Sequence, residues 1–311
     1  MEKFIVTGEV QLSGRIAVSG AKNATLPIMA AALLCEGKSV LYQVPNLRDI
    51  AMMQKIMELL GAKIVRDGAK MLIDTYSVSK TEIPELLMRE MRASVFLMGP
   101  LLARFRRVRL SYPGGCAIGP RPINLHLKAL EHLGAQIEES CGFIDAKADQ
   151  LKGNEITFDF PSVGATENAM MAAVLAKGTT ILHNAAREPE IVDLERFLNS
   201  MGAKVSGAGT DSIAIDGVTK LHGAEHRIMP DRIEAGTLLL AGAVTQGDVE
   251  VTNIHHSYLF SVIDKLRELG ARISYYSDSI RLQAGMLSGI DVKTLPYPGF
   301  PTDLQAPMLS V

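Results

Sequence analysis

The sequence has no tryptophan, three cysteines, no apolar run long enough to span a bilayer and no marked excess of charge of either sign. Each shortage excludes something. Cys35, Cys116 and Cys141 are widely spaced, so they supply neither a disulfide framework nor a metal knuckle and fit a reducing compartment. The uncharged run 23–35 is too short for a membrane span and is followed at once by Glu36 and Lys38. Residues 1–8 are too few and too polar for a signal peptide. A net charge of −2 argues against a general nucleic-acid binder. These exclusions leave a soluble, cytoplasmic protein with no metal and no membrane attachment as the expectation. With 47% apolar residues in 311, there is ample material for a core and a length that fits about two domains.

One stretch stands out, Ser111-Tyr-Pro-Gly-Gly-Cys-Ala-Ile-Gly-Pro-Arg-Pro122. It holds three glycines, three prolines, one cysteine and one arginine, with no acidic residue. Pro and Gly punctuate it too densely for a helix or a central strand, so an exposed loop is predicted. Cys116 sits at its middle among glycines that let backbone approach a ligand closely. Arg121 carries a planar fork suited to phosphate or carboxylate. On residue chemistry alone, a surface turn with an incidental thiol remains open.

A repeat runs along the chain. Leu60-Gly-Ala-Lys-Ile64, Leu133-Gly-Ala-Gln-Ile137, Met201-Gly-Ala-Lys-Val205 and Leu269-Gly-Ala-Arg-Ile273 are one word, with glycines at 61, 134, 202 and 270. Each follows an amphipathic stretch (50–60, 124–133, 191–201, 261–269). This reads as helix, left-handed glycine cap, then strand. A second word opens at Asn23, Arg92, Thr166, Glu234 and Asp303, each beginning an apolar helix that ends in a turn and a strand. The units are thus about 70 residues of alternating helix and strand, an α/β (α+β) class. Their polar first words fall at helix N-termini, where anions are favoured. The fifth unit stops at Val311, so the sequence reads as C-terminally truncated, with the second domain incomplete. Arg104, Arg106, Arg107 and Arg109 read as a solvated strand face, and Cys35 as core at a helix end.

Seven motifs carry a resemblance. They are Gly20-Ala-Lys-Asn-Ala24, Met91-Arg-Ala-Ser94, the loop from Pro113 to Pro122, Ser162-Val-Gly-Ala-Thr166, Asn184-Ala-Ala-Arg-Glu-Pro-Glu-Ile-Val192, Pro230-Asp-Arg-Ile-Glu234 and Phe300-Pro-Thr-Asp303. In this order the chain resembles the UDP-N-acetylglucosamine 1-carboxyvinyltransferases, enolpyruvyl transferases of the EPSP synthase-like superfamily. The resemblance implies two domains of βαβαββ units with helices inward, an inside-out α/β barrel. One domain would be 22–229, of three repeats; the other would be 1–21 plus 230–311. It further implies transfer of the enolpyruvyl group of phosphoenolpyruvate to the 3-hydroxyl of UDP-N-acetylglucosamine, the first committed step of peptidoglycan synthesis, with no cofactor.

The resemblance also assigns residues. Cys116 is the proton donor, able to form a pyruvate adduct and to be the target of the epoxide fosfomycin; Lys22 and Asp303 complete the catalytic set. Lys22, Asn23 and Arg121 would hold phosphoenolpyruvate. Arg92, Arg121, Pro122, Ile123, Asn124, Leu125, Phe160, Pro161, Ser162, Val163, Gly164 and Asp303 would hold UDP-N-acetylglucosamine. Phe160 departs from the basic residue often expected at its position. Arg48 and His126 are minor candidates, and Glu188 and Glu190 a scaffold near the hinge. Residues 111–122 would form a lid. Asp303 also reads as a helix N-cap on residue type alone.

The same resemblance weighs against three alternatives. A shikimate-pathway enolpyruvyl transferase would lack the Pro-Gly-Gly-Cys loop. An RNA-end cyclase would carry a nucleotide signature absent here. A homologue silenced by point substitution would not need Lys22, Arg92, Cys116, Arg121 and Asp303 together, whereas silence through truncation stays open, and a form ending at Val311 is expected to turn over negligibly. A UDP-sugar and phosphoenolpyruvate enzyme, of unspecified oligomeric state, is the expectation.

Overall fold

The computed structural model describes residues 3, 5, 7–85, 92–112 and 123–311, with the side chains of 92 and 93 excepted. The chain divides into two compact units. One is Lys22–Met229, and the other joins Met1–Ala21 to Pro230–Val311.

Within Lys22–Met229 the same plan recurs three times. An apolar helix leads into a strand, then an amphipathic helix, then two strands. The first pass is α1 (Lys22–Ala31), β2 (Lys38–Tyr42), α2 (Arg48–Leu60), β3 (Lys63–Asp67) and β4 (Lys70–Asp74). The second opens with a 3-10 helix, Arg92–Leu97, running into α3 (Met98–Phe105). β5 (Arg107–Ser111), α4 (Asn124–His132), β6 (Gln136–Ser140) and β7 (Phe143–Lys147) follow. The third is α5 (Val163–Ala173), β9 (Thr179–His183), α6 (Pro189–Ser200), β10 (Lys204–Ser206) and β11 (Ser212–Asp216). In each, the last strand is central and antiparallel to both neighbours. A further strand lies parallel on the outer side of the first: β8 (Glu155–Thr157) beside β9, and β12 (Glu225–Arg227) beside β2. A single bridge from Glu82 to Arg109 marks that place in the β5 sheet.

The other unit repeats the plan once, with β1 (Ser13–Ala17) parallel to β13 (Asp248–Thr252) and then β15 (Ser279–Gln283) and β14 (Arg272–Tyr275). Helices α7 (Arg232–Val244) and α8 (Phe260–Glu268) pack on this sheet around Leu240, Val251, Ile263, Leu266, Ile280 and Leu282. Asp231 caps α7, accepting from the Ile233 and Glu234 amides at 2.9 and 3.0 Å. The Arg281 fork clasps Asp248 at 2.7 and 2.6 Å and holds that carboxyl down at about 2. This contact therefore supports the fold above the ordinary carboxylate range and is lost as pH falls through about 2.

The glycine word does what its chemistry predicts. Gly61, Gly134, Gly202 and Gly270 adopt φ of +112°, +95°, +97° and +108°, where any side chain would strain. At Gly61 a Cβ would also stand 2.5 Å from the Ser77 carbonyl. Each glycine ends the amphipathic helix and turns the chain into the edge strand.

The inner helices explain the layering. From Ala24 onward every residue of α1 is buried, as is every residue of α5 from Ala165. A helix with no continuous polar face sits inside, and the Thr166 and Asn168 side chains of α5 find their hydrogen bonds within the core. α2 and α6 cover them with one apolar stripe each, and the strands alternate buried and open positions. Cys35 is core at the end of the 3-10 helix Ala32–Leu34, and its thiol is pushed up by burial.

Two expectations are corrected. The helices do not all start at the second word: α5 opens at Val163, capped by Ser162, and α7 at Arg232, so Thr166 and Glu234 lie inside their helices. The arginine cluster is not one solvated strand face. Arg104 lies on α3, Arg106 is its left-handed cap, and only Arg107 and Arg109 belong to β5. The Arg104 side chain is 9% exposed. It donates to the Leu33, Cys35 and Thr75 carbonyls at 3.0, 2.8 and 3.2 Å, and so ties the second pass to the first. Arg104→Met removes a charged donor from three part-buried carbonyls and should lower unfolding stability by about 2–4 kcal/mol. A denaturant midpoint unchanged from wild type would show the clasp to be idle.

Candidate active site

Lys22–Met229 carries most of the expected residues at helix N-termini. Lys22 opens α1, and its ammonium lies 3.5 Å from the carboxylate of Asp49 in the first turn of α2, both half-exposed. Asn23 follows, half-buried. The Lys22 side chain thus links the start of α1 to the first turn of α2. Arg92 opens the 3-10 helix Arg92–Leu97, and its side chain lies outside the described residues. Cys116, Arg121 and Pro122 also lie outside them, as does most of the expected lid.

The segments expected to contact a nucleotide come together. Ile123 is buried just before α4, Asn124 is exposed at its start, and Leu125 is half-buried. The segment Phe160, Pro161, Ser162, Val163 and Gly164 leads into α5, where the Ser162 hydroxyl accepts from the Ala165 amide at 3.4 Å. Lys128 on α4 pairs with Asp159 at 3.0 Å. At Gly164 an added Cβ would lie 3.0 Å from Cε1 and 3.2 Å from Nε2 of His126. The glycine is what lets the α5 N-terminus approach that imidazole. Phe160 is 57% exposed, an aromatic ring at the place where a basic residue is often expected.

His126 is buried at 5% exposure, and its state is set by Asn168. The Asn168 carbonyl oxygen accepts from the Gly99 amide at 2.8 Å, and its amide nitrogen donates to the Val95 carbonyl at 2.9 Å. Those two backbone partners fix which end of the amide is which. The same nitrogen stands 2.8 Å from His126 Nδ1, so Nδ1 must accept and the imidazole is neutral with its proton on Nε2. Gly99 is obligatory here, since a Cβ would lie 2.5 Å from the Asn168 carbonyl. Sequence reasoning kept His126 as a minor candidate and missed Asn168. The available signal was an amide in the middle of an otherwise Ala- and Met-rich helix.

Glu188 and Glu190 stand at the start of α6. Asp303 belongs to the other unit, exposed in the 3-10 helix Thr302–Leu304. It is not the cap it was expected to be. Pro301 occupies the cap position with no side-chain bond, and the helix proper begins at Gln305.

These repeats, with helices inward and sheets outside, define an enolpyruvyl-transferase fold. The structure matches the enolpyruvyl transferase NikO of Streptomyces tendae with TM-score 0.86 at 22% identity, over 96% of this chain and 72% of that one. It matches the EPSP synthase of Acinetobacter baumannii with TM-score 0.68 at 18% identity, over 96% and 68%. Residues 6–311 match the EPSP synthase (3-phosphoshikimate 1-carboxyvinyltransferase) family.

Among curated relatives, UDP-N-acetylglucosamine 1-carboxyvinyltransferase 1 of Symbiobacterium thermophilum is 53% identical over 317 residues, covering all of this chain and 72% of its own length. UDP-N-acetylglucosamine 1-carboxyvinyltransferase 2 of Carboxydothermus hydrogenoformans is 54% identical over 314 residues, covering all of this chain and 75% of its own. The chain belongs to the EPSP synthase family and, within it, to the group of the UDP-N-acetylglucosamine 1-carboxyvinyltransferases.

The tautomer argued above is directly observable. Ring ¹⁵N shifts should report His126 as neutral with the proton on Nε2, and Asn168→Ala should release that preference while lowering stability by about 2–4 kcal/mol. A proton on Nδ1 in the wild type would contradict the network.

Proposed function

We propose that this chain transfers the enolpyruvyl group of phosphoenolpyruvate to the 3-hydroxyl of UDP-N-acetylglucosamine, releasing phosphate, in the cytoplasmic stage of peptidoglycan synthesis. The observation that carries this reading is identity above 50% to enzymes of that name along the whole chain, with Lys22, Asn23, Arg92, Cys116, Arg121 and Asp303 all in place.

The chemistry assigns the roles. The sugar oxygen adds to C2 of the enol while a proton goes to C3, giving a tetrahedral ketal. Loss of the C3 proton and of phosphate then restores the double bond. Cys116 supplies the proton to C3, since a thiol near neutrality both donates and, as thiolate, adds to electrophiles. Asp303 takes the proton from the sugar hydroxyl. Lys22, Asn23 and Arg121 bind the phosphate and carboxylate of phosphoenolpyruvate, whose charge needs fixed cations. Arg92, Arg121, Asp303 and the segments Pro122–Leu125 and 160–164 hold the UDP-sugar. Phe160 offers a ring face there in place of a cation. Among the described residues no helix is long and apolar enough to cross a membrane.

Phosphate release from phosphoenolpyruvate should depend on UDP-N-acetylglucosamine and not on shikimate 3-phosphate. The reverse preference would sink this reading, and UDP-sugar binding without any turnover would reduce it to a binding protein. Cys116→Ser should lower kcat by about 10²–10⁴-fold.

Fosfomycin should label Cys116 in preference to Cys141, although Cys141 is exposed, because Arg121 follows Cys116 by five residues and would favour its thiolate. Peptide mapping that put the label on Cys35 or Cys141 would contradict the assignment of the nucleophile.

A further inference from the structure

Glu167 lies one turn into α5 and is fully buried. Neither carboxyl oxygen has a hydrogen-bond partner. The charges that act on it are those of Glu190 and Glu188, both acidic and both at the start of α6; Glu190 is itself only 2% exposed.

Other titratable groups described on the surrounding elements are engaged elsewhere, and the Arg92 side chain, on the 3-10 helix packed against α5, lies outside the described residues. Arg104 on α3 holds three backbone carbonyls. His126 on α4 accepts from Asn168, and Asp193 on α6 pairs with His226. His183 on β9 faces Glu155, and Asp216 on β11 accepts from Thr179. No trio of acidic, His or Cys residues among the described residues is placed to hold a metal ion. Among the described residues no cation or donor reaches a carboxylate at 167, and it would face like charge.

We propose that Glu167 is carried in the folded chain as the neutral acid, its proton relieving a fully buried, unpaired carboxyl in a helix packed against the acidic start of α6. Burial first, then Glu190 and Glu188, push its carboxyl well above the usual range, in line with this geometry. The consequence has a definite sign. In the unfolded chain Glu167 ionises in the ordinary carboxylate range. In the folded chain it keeps its proton to higher pH. Its contribution to stability is therefore fully present at acid pH and is lost as pH rises towards the folded value. The amide of glutamine has the shape of the neutral acid and no proton to lose.

The test compares thermal melting of the wild type, Glu167→Gln and Glu167→Met from about pH 5 to pH 9. The expected result is near-coincidence of wild type and Glu167→Gln at the acid end. A gap in favour of Glu167→Gln should then open by about 5 °C or more by pH 8. Glu167→Met should show the same trend with pH. A gap that stays constant, or that closes as pH rises, overturns the proposal, as does failure of Glu167→Gln to fold.

A second readout rests on the reading given under Proposed function. Glu167→Gln should keep kcat within about three-fold at pH 7 and extend the alkaline limb of the pH profile. A loss of more than ten-fold at pH 7 with unchanged melting would mean that the charged form is the working one. Absence of enolpyruvyl transfer in the wild type would sink the reading of function while leaving the melting comparison to decide this proposal by itself.

Discussion

The structure of Lys22–Met229 depends on two helices that cannot face water. α1 and α5 are buried on every side after their first two residues, so everything else in that unit must wrap them. α2, α6 and the 3-10 helix Arg92–Leu97 lie against α1, and α3, α4 and α6 lie against α5. The sheets close over this layer from outside. Apart from Thr25 on α1 and Thr166, Glu167 and Asn168 on α5, the polar side chains of these two helices stand at their N-terminal ends, where the dipole favours anions. Lys22 and Asn23 sit at one such end and Ser162 at the other. The same burial that stabilises the unit therefore delivers the candidate site to helix N-termini.

Close approach of these inner helices sets a second requirement, which falls on small residues. Gly99 lets α3 touch the backbone at Asn168, and Gly164 lets α5 reach His126. At such separations a buried polar group meets backbone rather than water. Asn168 turns this to use by satisfying an amide, a carbonyl and an imidazole at once. Thr166 does the same in one bond, accepting from the Ala186 amide at 3.1 Å just before α6. Glu167 sits between these two satisfied neighbours with no partner, and that contrast singles it out.

Much of this was legible in the sequence because it rests on local chemistry. A glycine after an amphipathic stretch specifies a left-handed cap whatever surrounds it, and all four words behave so. The alternation of apolar helix, strand and amphipathic helix followed from periodicity alone. What failed had non-local causes. Arg104 shares its neighbourhood in sequence with three exposed or capping arginines, yet its role is decided by carbonyls some 70 and 30 residues earlier, at Leu33, Cys35 and Thr75. Asp303 has the right residue type for a cap, but Pro301 already fixes the turn and leaves its carboxylate exposed. The place of Lys22 and Asn23 at a helix start was legible in residue types, while the roles of the candidate site residues came from the resemblance; the Asn168 network was not legible, because its partners come from three separate elements.

The buried polar residues on α5 also bear on how such a core tolerates function. Thr166, Glu167 and Asn168 are consecutive and wholly buried within an alanine- and methionine-rich helix. An aliphatic residue at each place would pack without hydrogen-bond demands, and replacing buried polar groups by well-packed apolar ones is often neutral or stabilising. Their presence is thus poorly explained by stability alone. Thr166 and Asn168 reach towards the start of α6 and towards the α4 imidazole, two of the places where candidate site residues stand. The helix reads as a frame that sets its neighbours' ends to within a hydrogen bond, with rigidity bought at some cost in core stability. A frame of that kind suits a site assembled from several helix termini, because each terminus then inherits its position from one buried element rather than from its own flexible loop.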